Sequence, residues 1–137
     1  MNSFTVFRVS ASALDAQRQR MNVIASNLAN VHSTSSEGGG PYRRKDVLFS
    51  SMEIESNPSR LEGVKVVDVV EDPTPFRTVY DPGHPDADAD GNVTMPNINV
   101  VEEMVNMMMA VRAYESSVSA FNMSKAMFLK TLELGRV

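Results

Sequence analysis

The stretch Asp86-Ala87-Asp88-Ala89-Asp90-Gly91 sets three carboxylates at alternate positions ahead of a glycine, which is how an EF-hand calcium loop opens. Oxygen donors at such spacing can wrap a hard cation, and the glycine supplies the sharp turn. Val93 is apolar at the offset the motif expects. The twelfth position is Asn97 where a bidentate glutamate belongs, Pro96 precedes it, and the sequence upstream of Asp86 does not read as a helix. A solvated acidic turn is the better reading. A calcium-responsive binding module built on Asp86, Asp88 and Asp90 is the alternative.

Other groups capable of chemistry are scattered. Arg43-Arg44-Lys45 beside Tyr42 has the charge for a phosphate contact, or for a solvated strand edge or salt-bridging patch. His32 and His84 are the only histidines and fall in different loops, so they do not make a zinc set. Glu53 and Glu55 share a face if that segment is extended, yet nothing else converges on them to make the positioned acid pair or metal site that hydrolysis requires. Gly38-Gly39-Gly40 lacks the strand and helix that a phosphate loop needs and reads as a linker. No catalytic residue, cofactor or metal ligand is expected.

The bulk numbers narrow the class. The chain has 137 residues, a net charge of −4 and no cysteine, so no disulfide or thiolate chemistry is available. The acidic balance opposes a nucleic-acid partner. No run of about 20 apolar residues is present, and no cleavable signal peptide is visible at the N-terminus. Ten methionines, most of them in the C-terminal stretch, raise the thought of a membrane surface. Methionine in a helical stripe is more often adaptable core, and the basic polar face of an interfacial helix is missing. Taken alone, these rules place the protein in the cytoplasm without membrane insertion.

The elements that must position everything else lie at the two ends. From Asn99 to Leu134 apolar residues recur at steps of four and three: Val100, Met104, Met107, Val111, Tyr114, Val118, Phe121, Phe128 and Leu132, with Lys125 interrupting. That is the rhythm of a coiled-coil seam, and it predicts one helix of about 34 residues. Asn99 is a good N-cap, Glu102 stands where a capping box wants a carboxylate, and Gly135 can close the helix in the left-handed conformation. Residues 3–31 repeat the rhythm with Phe4, Phe7, Ala11, Leu14, Arg18, Met21, Ala25 and Leu28. Between them, all seven prolines lie from 41 to 96, which limits any sheet to short strands. A strand pair or an extended segment is expected within 42–54, and single strands at 63–70, 76–80 and 91–95. The predicted fold is α+β: long N- and C-terminal helices as a coiled-coil-like pair around a small β-rich insert. Residues 1–35 and 97–137 would make a helical assembly domain from both termini, and 36–96 the insert. Apolar residues around the second helix exceed what one partner helix covers, which points to self-association.

Three stretches carry a family likeness. They are Ser26-Asn27-Leu28-Ala29-Asn30-Val31, the segment from Gly39 to Lys45 with Val70 to Asp88, and Met95-Pro96-Asn97 through Tyr114-Glu115. Together they cover most of the chain, which resembles the rod and hook proteins of the bacterial flagellum, and among these the proximal-rod subunits. The resemblance implies a structural subunit of the basal-body rod without a catalytic site. It would link the membrane base to the distal rod, carry torque and line an export channel. Its partners would be other rod subunits, the basal-body base and the flagellar type III export apparatus, which moves substrates without a cleaved signal. The implied location is then the periplasmic rod rather than the cytoplasm. The interface residues implied by seam and signature are Phe7, Leu14, Met21, Asn27, Leu28, Asn30, Met104, Val111, Tyr114, Val118, Phe121, Phe128 and Leu132.

Overall fold

The computed structural model describes residues 3–36, 38–54 and 61–135. Helix α1 spans Ser3–Ala29 and helix α2 spans Val100–Leu134, on the order of 40 and 50 Å long at 1.5 Å per residue. Asn99 caps α2: its backbone is extended, and its Oδ1 accepts from the amides of Val101 at 3.1 Å and Glu102 at 3.4 Å. Glu102 stays exposed, and the carboxylate that turns inward is that of the next residue, Glu103. Gly135 departs from its expected conformation. It sits at φ −82°, still right-handed, and its amide donates to the Thr131 carbonyl at 3.1 Å, so the last turn simply continues.

Four strands lie between the helices. Strand β1 (Lys45–Glu53) pairs antiparallel with β2 (Glu62–Glu71), with a register shift between Leu48 and Phe49. The segment 42–54 thus supplies one strand and not a pair of its own. Strand β3 (Arg77–Tyr80) pairs antiparallel with β4 (Asn92–Met95) in a separate two-stranded sheet. Two-stranded ribbons are marginal alone. Here each leans on something else: Val47 and Ile54 are buried at the first ribbon, and Val93, Pro96 and Ile98 at the second. The turn between β3 and β4 returns at Gly91, whose φ of +78° suits a residue without a side chain.

The helices run antiparallel, because the start of α1 meets the end of α2 and the reverse. The Phe7 ring stands edge-on to Phe121 with centroids 5.1 Å apart and to Phe128 at 6.2 Å, and Phe4 meets Phe128 at 6.2 Å. Such aromatic contacts stabilise by about 0.5–1.5 kcal/mol beyond area burial. Phe7, Leu14, Met21 and Leu28 form the half-buried face toward α2, at alternate positions of the expected seam. Phe4, Ala11, Arg18 and Ala25, the intervening positions, are exposed.

A second stripe on α1 escaped the heptad reading. Thr5, Ala16 and Asn27 are buried, and they share a side of the helix with Ser12, which touches the β1–β2 ribbon. Ser12 Oγ donates to the Val9 carbonyl at 2.7 Å and accepts from the Val64 amide at 3.1 Å. A β-carbon added at Gly63 would come within 2.6 Å of both Ser12 Oγ and Ile54 Cδ1, so the ribbon approaches α1 backbone to side chain. Helix α1 is therefore wedged between α2 and the first ribbon, and needs two faces where the seam offered one.

On α2 the inward face follows Glu103, Asn106, Ala110, Ala113, Ser117, Phe121, Ser124 and Phe128. The apolar seam adjoins this covered side at Met107, Tyr114, Val118, Phe121 and Phe128, and leaves it at Val100, Met104, Val111 and Leu132. A straight α-helix slips about 20° per heptad relative to a seven-residue repeat, roughly 80° between Val100 and Phe128. Phe121 and Phe128 consequently point at α1, while Val100 (41% exposed), Met104 (55%) and Val111 (37%) turn toward solvent. The coiled-coil stripe is not used up within the chain.

Candidate functional site

Two arrangements stand out, one closed and one open. The closed one is a polar clasp where the end of α1, the start of β1 and the first turn of α2 converge. Asn27, wholly buried, donates through Nδ2 to the Lys45 carbonyl at 2.8 Å and to Glu103 Oε2 at 2.9 Å. Its Oδ1 accepts from the Lys45 amide at 3.0 Å and the Tyr42 hydroxyl at 3.2 Å. One side chain thus completes an edge of β1 and ties it to both helices. The other oxygen of Glu103 accepts from Arg44 Nε at 2.9 Å, and the Arg44 Nη1 reaches Asp72 Oδ2 and Asp46 Oδ2, each at 3.3 Å.

The clasp extends through backbone amides. Asn97 Oδ1 accepts from the Arg44 amide at 2.9 Å, and its Nδ2 donates to the carbonyls of Asp72 and Thr74 at 3.3 and 3.1 Å. Arg43 donates to the same two carbonyls, at 3.0 and 3.1 Å, and lies 4.1 Å above the Phe76 ring. A buried charge is tolerated only when paired and hydrogen-bonded. Burial works against the Arg44 charge, but the hydrogen bond and charge of Glu103, then those of Asp46, outweigh it and raise its pKa above the usual arginine value. The Thr74 hydroxyl and amide, helped by Arg44 and opposed by partial burial, hold the Asp72 carboxyl below the usual carboxylate range. Of the readings open for Arg43-Arg44-Lys45, the salt-bridging patch describes Arg44.

The open arrangement is the outward side of α2. Val101, Val105, Met108 and Met109 join Val100, Met104 and Val111 there, with exposures from 37% to 70%. Toward the C-terminus Met123, Met127, Leu129, Leu132 and Leu134 continue the apolar exposure. Contiguous apolar surface of this kind marks a protein contact.

The expected interface residues divide between these places. Phe7, Leu14, Met21, Leu28, Tyr114, Val118, Phe121 and Phe128 are half-buried within the helix pair. Met104, Val111 and Leu132 face outward. Asn27 is enclosed in the clasp. Asn30 closes the end of α1, donating to the Ser26 carbonyl at 2.8 Å and accepting from Ser33 Oγ at 3.0 Å. Glu103 and Arg44 were missed as a pair. The available signal was a second glutamate inside an apolar stretch, one residue past the position a capping box uses.

The acidic loop folds on itself. Asp88 Oδ1 accepts from the amides of Asp90 and Asn92 at 2.9 and 2.8 Å, and Asp86 Oδ2 accepts from Thr34 Oγ1 at 2.7 Å. Among the described residues no three acidic, histidine or cysteine side chains are grouped to hold a metal ion. Glu53 is an exposed strand residue, and Glu55 lies outside the described residues. Among the described residues, no helix is long and apolar enough to cross a membrane.

Comparison with known proteins matches these two helical ends. Residues 7–35 match the model of the flagella basal body rod protein family, and residues 89–134 the model of the C-terminal region of flagellar basal body rod FlgEFG proteins. The flagellar basal-body rod protein FlgC of Escherichia coli O6:H1 is 49% identical, covering 99% of this chain and all of the relative. FlgC of Salmonella typhimurium is 47% identical with the same coverage, and that of Bacillus subtilis 42%. The chain belongs to the FlgC family of flagellar basal-body rod proteins. As a FlgC-family member it is a structural subunit of the flagellar basal body that assembles with other rod components. The matched region 7–35 contains Asn27, and the matched region 89–134 contains Glu103, so the clasp joins the two segments that the family models match.

Proposed function

We propose that this FlgC-family chain builds the proximal rod through the outward side of α2, with residues 1–35 and 97–137 acting as the assembly unit and 36–96 as an outer insert. The carrying observation is the heptad stripe left facing solvent at Val100, Met104 and Val111. A sustained seven-residue repeat is satisfied when neighbouring helices pack along it. Burying one such side chain stabilises by about 1.5–3 kcal/mol, so several together suffice to hold subunits against torque. In this reading the clasp fixes the insert to the helix pair, so load on one is borne by the other. The chain reaches the periplasmic rod through the flagellar type III export apparatus, without a cleaved signal, and the helical units line the channel.

The test is a Met104→Asp, Val111→Asp double variant expressed in a motile host lacking its own copy. Both positions are exposed, so circular dichroism should match the parent protein. Basal bodies purified from that host should lack the subunit, and swimming should be lost. Normal incorporation would overturn the reading.

A further inference from the structure

The chain contains no cysteine, so methionine sulfur is its readily and reversibly oxidised side-chain group. Its placement is uneven. Met104, Met108 and Met109 are 55%, 57% and 50% exposed on the outward side of α2, and Met123 and Met127 are 61% and 72% exposed further along. Met21, Met52, Met95 and Met107 are half-buried. Valine occupies neighbouring positions of the same outward side, at 100, 101, 105 and 111, so apolar contact alone does not require sulfur there.

We propose that Met104, Met108 and Met109 form a reversible oxidation site that governs association through α2. The oxidant class is a peroxide. A thioether lone pair attacks one oxygen of hydrogen peroxide, the O–O bond breaks, the sulfur is oxidised by two electrons to a sulfoxide as the transferred oxygen gives up its proton, and the other oxygen takes that proton and leaves as water. The product is a polar, chiral side chain with a strong hydrogen-bond acceptor, set where the free chain presents apolar surface. Burying that acceptor against an apolar neighbour leaves it unsatisfied, so association weakens. Subunits already packed along α2 have these sulfurs covered and resist. The step is undone by a methionine sulfoxide reductase. The effect on association rests on the assembly role proposed above, whereas the order of oxidation rests on exposure alone.

The experiment treats the full chain with hydrogen peroxide and follows each methionine by peptide mass mapping, with self-association measured by sedimentation. Met1 lies outside the described residues and is left out of the ranking. The five exposed methionines should oxidise several-fold faster than the four half-buried ones, and self-association should weaken at least tenfold. Reductase treatment should restore it. A Met104→Leu, Met108→Leu, Met109→Leu variant should associate like the parent and keep doing so after peroxide. Oxidation in the reverse order, unimpaired association of the oxidised chain, or equal sensitivity of the leucine variant would each overturn the proposal. An untreated chain that stays monomeric at every concentration would overturn control of self-association and count against the assembly reading, while the oxidation order still tests the sulfur site.

Discussion

The two ends of α2 handle the same apolar rhythm in opposite ways. At the C-terminal end Phe121 and Phe128 close on Phe7 inside the chain. At the N-terminal end the seam residues face outward, and the inward position belongs to Glu103, 0% exposed and paired with Arg44 and Asn27. One end is held by apolar packing, the other by a satisfied charge. The difference shows how a helix can be anchored in its own subunit and still keep an unused stripe: polar groups hold it from the side that the stripe leaves vacant.

Breaking the charged end should have the largest effect on the isolated chain. Glu103→Ala leaves Arg44 and Asn27 without their shared acceptor, and unfolding in urea should report a loss of about 3–5 kcal/mol. Phe121→Ala at the apolar end should cost less, about 2–3 kcal/mol, because the ring is only half-buried and its site can partly collapse. Asn27→Ala should fall in a similar range, about 1–3 kcal/mol, through the unsatisfied Lys45 groups and Glu103 oxygen it leaves behind. If Phe121→Ala proved costlier than Glu103→Ala, the contrast between the ends would be reversed.

Acid offers a milder probe of the same contrast. Asp72 is held below the usual carboxylate range by Thr74, with Arg44 assisting, and Asp15 is held below it by Arg18 and Gln19. Groups with lowered folded pKa values contribute fully above their unfolded value, near pH 4, and lose that contribution as pH falls through the folded value. Thermal unfolding should therefore show stability falling below about pH 4, with less of a fall in Asp72→Asn. The raised pKa of Arg44 keeps its contribution fully present through the neutral range, where stability stays flat, and loses it only at the alkaline extreme. The smallest effect is expected at Gln17, whose Oε1 is buried without a partner. Gln17→Met should stabilise the chain by up to about 1 kcal/mol in the same urea titration.

The helices, the Asn99 cap and the insert's short strands were legible because each depends on local pattern: the four-three spacing, the asparagine before it, and the prolines and glycines between 41 and 96. The clasp was not, because the one local hint, a second glutamate past the capping position, does not say what Glu103 would pair with, and nothing local distinguishes Arg44 from Arg43. Their roles are set by helix phase and by partners far along the chain. The Arg44 hydrogen bond to Glu103 spans 59 residues. Only part of the seam faces inward: Tyr114, Val118, Phe121 and Phe128 are half-buried, while Val100, Met104 and Val111 are exposed. A seven-residue repeat defines a stripe that winds around a straight helix, and only the packing decides which part of it is covered. The stripe on α1 through Thr5, Ala16 and Asn27 stayed hidden because threonine, alanine and asparagine do not look like core.

The hydrogen bond between Asn27 and Glu103 joins residues 76 positions apart. A ribosome releases Asn27 long before Glu103 exists, so the bond that joins the two helices must wait through most of synthesis. The knot is tied only when the final third arrives, and a chain stopped short of residue 103 has no means of tying it.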